Sequence, residues 1–239
     1  KIIAYRDANY RIIPVVDKDN VVVNVINFRF FRSYLPVDAV IMAGGRGQRL
    51  QPLTDTTPKP MLKVGDKPII EYNIDRLALY GIDDFWISIK YLGEQIESYF
   101  GQGENKNINI QYIRENEPLG TIGAIGNIES FTNDYVIVLN SDLLTNLDYE
   151  DFFLDFMESG ADFSVVSIPY DVSIPYAVLE TNNRKVTSFI EKPTYTYYSN
   201  GGIYLMKKSM LESIPKNTFF NATDLMETLI SQGKTVNTY

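Results

Sequence analysis

The stretch Val40-Ile41-Met42-Ala43-Gly44-Gly45-Arg46-Gly47-Gln48-Arg49-Leu50 decides the fold. A short apolar run goes straight into three glycines and two arginines, so it reads as a buried strand ending on a turn. Glycines let the backbone approach a ligand and point successive N–H groups at it, and guanidinium groups favour an anion. A strand followed by such a turn and the start of a helix is the phosphate-binding corner of an α/β sheet. Two other phosphate loops fail on spacing. The dinucleotide fingerprint requires glycine where Leu50 stands, and no Gly-x-x-x-x-Gly-Lys-Ser/Thr occurs anywhere in the chain. Downstream follow Pro52-Leu53-Thr54 and Thr57-Pro58-Lys59-Pro60-Met61-Leu62. The two prolines fix an extended path around Lys59 and aim its ammonium back at the cradle with little entropy left to lose on binding.

Outward from this corner the chain alternates short apolar runs with helical periods, which predicts a mixed, mostly parallel α/β sheet flanked by helices. Strands are expected at Ala39–Met42, Phe85–Ile89, Ile108–Ile113 and Tyr135–Leu139. Ile69, Ile70, Ile74, Leu77 and Ala78 fall at helical spacing and stop at Gly81; 95–100 and 122–128 are the next crossover helices. Beyond Asp148 the pattern gives a helix with Phe152 and Phe156 one turn apart, then β runs at 163–168, 177–180, 186–190 and 202–206. A last helix is expected over 222–231, with Asn221 as its N-cap and Leu225 and Leu229 on one face. Asp142 follows the apolar run Val136–Leu139, which puts a carboxylate at the C-terminal end of a strand, where open α/β sheets bind ligands. At the other end, Ile2–Ile26 reads as two β runs around a turn at Asp17-Lys18-Asp19-Asn20. Phe28–Ser33 reads as a linker, with Pro36 at the boundary, so residues 1–35 and 36–239 are expected to be separate units.

Composition narrows the chemistry. The 239 residues include neither cysteine nor histidine, which excludes thiolate nucleophiles, Cys/His zinc sites, Ser-His-Asp triads and any imidazole acid or base. Carboxylates, Lys, Arg, hydroxyls, amides and backbone remain. With 22 basic against 30 acidic residues the net charge is −8, which argues against a nucleic-acid partner. No apolar run approaches the roughly 18 residues of a membrane span, and the lack of cysteine suits a reducing, cytoplasmic setting.

The motifs Gly44-Gly45-x-Gly47-x-Arg49-Leu50 and Pro58-Lys59-Pro60-Met61 together resemble the signature of the sugar-1-phosphate nucleotidyltransferases. The resemblance continues through Lys67–Glu71, the turn Pro118–Ala124, Asn140-Ser141-Asp142, Glu191-Lys192-Pro193 and Asn200–Tyr204, and spans Val37 to Met206. Two positions depart from the family pattern, Ile122 for Ala and Ala177 for Gly. What the resemblance implies is a nucleotide held by Ala43, Gly44, Gly45, Arg46, Gly47, Glu117, Gly120 and Thr121. It further implies a sugar held by Glu191, Lys192, Asn200 and Gly201, and Mg²⁺ at Asp142. Arg49 and Lys59 would meet the nucleotide phosphates, and Lys192 the phosphate of the attacking sugar 1-phosphate. Such a reaction needs no histidine, because the nucleophile is already anionic and pyrophosphate is a stable leaving group.

Pro-Lys-Pro-Met-Leu with Pro-Leu-Gly-Thr is most similar to mannose- and heptose-type guanylyltransferases, so GTP is the favoured donor, ahead of UTP, CTP and dTTP. Glu117 is the residue expected to accept from the N1–H and N2–H₂ edge of guanine. Ile12–Asn20 followed by Val21–Ile26 resembles the closing strands of a CBS module, which would imply an adenine nucleotide at the complete module. The family also carries a second metal-binding Asp in a Trp-x-Asp-x-Gly segment; the sequence reaches Tyr239 before one, so the protein is expected to continue past that residue. A nucleotide sensor of the same fold that catalyses nothing is the alternative, and a homodimer is consistent with either.

Overall fold

The computed structural model describes residues 2–239. In chain order the elements are α1 (Ile2–Asp7), β1 (Ile12–Val16), β2 (Val22–Asn27), β3 (Val37–Met42), β4 (Lys63–Val64), β5 (Lys67–Pro68), α2 (Ile69–Leu79), β6 (Asp84–Ile89), α3 (Gly93–Phe100) and β7 (Asn109–Arg114). There follow β8 (Tyr135–Asn140), α4 (Tyr149–Ser159), β9 (Phe163–Ser173), β10 (Val178–Asn182), β11 (Lys185–Ile190), β12 (Thr194–Lys207), α5 (Ala222–Ser231) and β13 (Val236–Thr238). Seven strands form one sheet in the order β13-β9-β12-β8-β3-β6-β7. It is parallel throughout except at β12, which runs antiparallel to both neighbours.

The continuous apolar runs of β3 and β8 are explained by cover on both faces. On one face Ala39, Ile41, Ile87 and Leu139 meet Ile70, Ile74 and Leu77 of α2, Ile96 of α3 and Phe152 and Phe156 of α4. On the other, Val40, Val136, Val138, Phe163 and Met206 meet Ile122, Ile125 and the Leu225–Leu229 face of α5. Asn221 caps α5 in a reciprocal box with Asp224. No helix among the described residues is long and apolar enough to cross a membrane.

Three sequence expectations are corrected. The Ile2–Ile26 segment is not β throughout: Ile2–Asp7 is a helix, whose Arg6 lies one turn after Ile2 and Ile3 and pairs with Glu150 of α4. The hairpin itself is present, its turn held by Asp17 accepting from the amides of Asp19 (2.9 Å) and Val21 (3.0 Å). The expected helix over 122–128 is a five-residue 3₁₀ helix, Gly123–Asn127. Gly123 and Gly126 lie so close to the 214–220 backbone that a Cβ would meet Thr218 O at 2.5 Å and Pro215 O at 2.9 Å. There the amides of Ile122 and Gly123 both donate to Phe220 O, at 3.2 and 3.1 Å, instead of continuing a helix. Finally, β9 and β12 extend well past the runs at 163–168 and 202–206, continuing as a two-stranded ribbon from Thr194↔Ser173 to Asn200↔Ser167.

Candidate active site

Backbone hydrogen bonds align the ends of the central strands on one edge. Ala43 N–H donates to Ser88 O (2.9 Å), Ser141 N–H to Met42 O (3.2 Å) and Glu115 N–H to Ile89 O (3.0 Å). The turns after β3, β7 and β8 therefore open together, at the position where α/β sheets take ligands. Between them is a cleft of about 620 Å³ lined by Gly44, Gly45, Arg46, Tyr91, Glu115, Leu119, Gly120, Thr121 and Asn140.

The glycine corner is shaped by close approaches. Gly47 has φ 65°, the left-handed region, and a Cβ there would lie 2.9 Å from Lys59 Cβ and 3.1 Å from Thr54 Cγ2. Thr54 is buried and its hydroxyl donates to Gly47 O at 3.0 Å, closing the loop back on itself. The side-chain amide of Gln95 donates to Thr56 O (2.9 Å) and the hydroxyl of Tyr91 to Asp55 O (3.0 Å), pinning the loop from the α3 side. This frame delivers Lys59, whose ammonium forms an ion pair with Asp142 at the end of β8. A cation from the loop after β3 and a carboxylate from the end of β8 thus meet beside the glycine corner, next to the cleft rather than in its lining. Arg46 stacks over Tyr91 at 5.4 Å from the ring centroid, while Arg49 sits on the 3₁₀ turn Gln48–Leu50 with its side chain exposed.

The two glutamates near the Pro118–Gly120 turn differ. Glu117, the residue the sequence singles out, is 87% exposed, stands 4.0 Å from Lys90 and does not line the cleft. Glu115 does. It is buried, accepts from the Ser88 hydroxyl and from Leu119 N–H (3.1 Å), and lies under Gly44, where a Cβ would approach its Oε1 to 2.6 Å. The signal for Glu115 was available, since a carboxylate directly after an apolar strand is the same feature that marks Asp142. Gly120 (φ 79°) and Thr121 line the opposite wall, the Thr121 hydroxyl accepting from Ala222 N–H at 2.8 Å.

The expected sugar residues stand apart from this group. Glu191 and Lys192 are exposed in the link between β11 and β12, Lys192 with φ 44°. Asn200 accepts from Gly202 N–H at 2.8 Å, and Gly202 comes against Asn140, where a Cβ would meet Asn140 Nδ2 at 2.5 Å. Gly202 therefore meets the rim residue Asn140, while Gly201 faces Val166 O and neither Asn200 nor Gly201 lines the cleft. Among the described residues Lys192 forms no ion pair, and no three acidic side chains gather into a metal cage; Asp142 is a single carboxylate.

Residues 38–238 match the nucleotidyl transferase family. The chain is 34% identical over 178 residues to the D-glycero-α-D-manno-heptose 1-phosphate guanylyltransferase of Aneurinibacillus thermoaerophilus, covering 74% of this chain and 77% of that one. It is 30% identical over 215 residues to the UTP–glucose-1-phosphate uridylyltransferase of Synechocystis, covering 82% of this chain and 55% of that protein. It spans about half the length of several such curated relatives. The crystal structure of HddC from Yersinia pseudotuberculosis complexed with GMP-PN superposes with a TM-score of 0.60 at 29% identity, covering 84% of this chain and 89% of that one. With the glycine corner, the Lys59 frame and Asp142 on one sheet edge, and the family matched along almost all of residues 36–239, the chain belongs to the nucleotidyl transferase family, among the sugar-1-phosphate nucleotidyltransferases.

Proposed function

We propose that this chain transfers a guanylyl group from GTP to a sugar 1-phosphate, forming a GDP-sugar and pyrophosphate. The observation that carries the proposal is the contact of Lys59 with Asp142 beside the glycine corner. It pairs a cation that a polyphosphate can take over with a carboxylate that a metal can take over. The relatives named above use different nucleotides, so the base must be read from this chain's own cleft. Glu115 favours guanine: a buried carboxylate has only acceptors, and guanine offers two adjacent donors on its Watson–Crick edge.

In this mechanism the backbone of Gly44, Gly45 and Arg46 receives the nucleotide phosphates, and Arg46 and Arg49 add charge from the rim. Lys59 leaves Asp142 and neutralises the charge that builds on the transferred phosphorus. Asn200, at the sheet end of the ribbon, and Lys192, before its opposite end, are assigned to orient the sugar 1-phosphate for in-line attack; catalysis is positioning and charge neutralisation rather than proton transfer. The donor set fits Mg²⁺ in the manner usual for nucleotides, one protein carboxylate with the rest of the shell from phosphates and water. Asp142 would hold the ion, which would supply Lewis-acid neutralisation of the phosphate charge. Residues 1–35 are proposed as the closing part of a CBS-like module joined to the transferase unit.

The test is equilibrium binding of GTP, UTP, CTP, dTTP and ATP with and without Mg²⁺, followed by pyrophosphate release with mannose, glucose, glucosamine and heptose 1-phosphates. Selective GTP binding and GTP-dependent pyrophosphate release are expected. Tight binding of another nucleotide overturns the base assignment, and binding without turnover for every acceptor favours the sensor.

A further inference from the structure

One charged contact reaches the Asp142 segment from outside the family-matched region. Arg6 of α1 forks onto Glu150, with Nη1 2.5 Å from Oε2 and Nη2 2.9 Å from Oε1. The same guanidinium donates to Arg32 O at 2.7 Å. Glu150 is buried, 8% exposed, in the first turn of α4, and Arg6 is its one cationic partner among the described residues.

The first turn of α4 is also the far anchor of Asp142. Residues 141–148, which join β8 to α4, lie in no helix or strand and are held at separate points. Ser141 is fixed by its amide to Met42 O (3.2 Å) and by Asn73, whose side-chain amide donates to Ser141 O at 3.3 Å. Leu147 O accepts from Arg76. Asp148 closes the segment as the N-cap of α4, accepting from the amides of Glu150 (3.0 Å) and Asp151 (3.2 Å). Glu150 is thus held twice, by its amide to the cap and by its carboxylate to Arg6. Between them Tyr149 is buried edge-on against Tyr80, whose hydroxyl accepts from Arg32 at 3.1 Å and whose carbonyl accepts from Leu35 N–H.

We propose that Arg6 is a positioning residue for Asp142: the N-terminal helix clamps the first turn of α4 and so fixes the far end of the segment that carries the reaction-centre carboxylate. The proposal rests on Asp142 acting in the reaction. A guanidinium–carboxylate fork is geometrically specific, so it fixes a direction as well as a charge. Without Arg6 the Glu150 carboxylate is buried and uncompensated, and it regains solvation only by swinging outward, which strains the Asp148 cap. Reacting groups tolerate little displacement, so a loosened tether acts on turnover before it acts on nucleotide binding.

The test compares the full chain with Arg6→Met, Arg6→Lys, Glu150→Gln and the Arg6→Met/Glu150→Gln double variant. It measures amide hydrogen exchange over residues 143–151 and steady-state guanylyl transfer. Arg6→Met is expected to speed local exchange about tenfold and lower kcat ~5–50-fold while the KM for GTP moves less than about twofold. The double variant should recover much of both losses, since it leaves no buried unpaired charge, and Arg6→Lys should fall between, lacking the fork. Wild-type exchange in Arg6→Met overturns the tether. Faster exchange with unchanged kcat, or faster exchange spread evenly over the whole chain, overturns the positioning role. Absence of turnover in the wild-type protein defeats the reaction assigned to Asp142, and the positioning role with it, while the exchange data still decide whether the clamp exists.

Discussion

Three glycines in the corner, changed one at a time to alanine, should fail in three different ways. At Gly47 the new Cβ sits 2.9 Å from Lys59 Cβ and 3.1 Å from Thr54 Cγ2, on a backbone with φ 65°. The left-handed conformation costs about 1–2 kcal/mol for a residue with a Cβ, and overpacking adds about 1–2. For a chain of this size a total of about 2–4 kcal/mol lowers the melting temperature by roughly 5–15 °C. Because Lys59 must move to relieve the clash, turnover should fall by roughly 100-fold. At Gly45 nothing lies within 4 Å of the added Cβ, so the fold should keep its stability to within about 0.5 kcal/mol. The added methyl instead stands in the open space through which the phosphates approach the Gly45 backbone, so GTP binding should nevertheless weaken by about 10–100-fold. At Gly44 the Cβ comes 2.6 Å from Glu115 Oε1, the end of a side chain that can rotate away only by leaving Ser88 and Leu119. That variant should lose discrimination between GTP and UTP more than it loses stability. Thermal melts and nucleotide titrations on the three proteins check the set. A Gly47→Ala protein that melts with the wild type, or a Gly45→Ala protein that binds GTP normally, refutes the geometry on which the cradle is assigned.

The remaining predictions concern single side chains. Asp142→Asn should abolish Mg²⁺-dependent turnover, and since it frees Lys59 it should leave metal-free GTP binding unchanged or tighter; near-normal turnover removes Asp142 from the reaction. Glu115→Gln should cut the preference for GTP by about 10–100-fold whereas Glu117→Ala should leave it intact, as judged by competition binding; the reverse pattern restores Glu117 as the base-reading residue. Asp75 is pushed up by burial, but hydrogen bonds from Lys106 (2.6 Å) and Lys67 more than offset this and hold its carboxyl below the ordinary 3.8. A depressed carboxyl stabilises above its unfolded value and loses that contribution as pH falls through the folded one. Asp75→Asn should therefore melt about 1–4 °C below the wild type from pH 5 to 8, a modest gap because the pair is partly solvent-screened, and the gap should close below about pH 4. A gap that widened on acidification would refute the assignment.

The legibility of this fold follows the range of the interactions that fix each part. β3, β6, β7 and β8 are recorded in apolar runs, and α2 and α5 in periods and caps that lie within each segment, so they could be read one at a time. The turn at 122–128 could not. Its apolar period is helical, but its amides are taken by Phe220 O, a partner about a hundred residues away. Ile2–Asp7 is short enough that periodicity cannot separate helix from strand, and its Arg6–Glu150 contact is likewise long-range. The same division runs through the site. The glycine corner, Lys59 and Asp142 announce themselves because each needs a special local backbone: a left-handed glycine, two prolines, a strand end. Glu115 and Glu117 are two residues apart on the same turn, and what separates them is which neighbour fills the space around each. Ser88 from β6 and the open face of Gly44 draw Glu115 inward, while Glu117 is left with Lys90 at the surface. Local chemistry can therefore mark a strand end as a place for a carboxylate, but which of two nearby carboxylates turns inward is set by the adjacent strand. That is also why the proposed choice of base rests on Glu115, a residue whose environment only the assembled sheet creates.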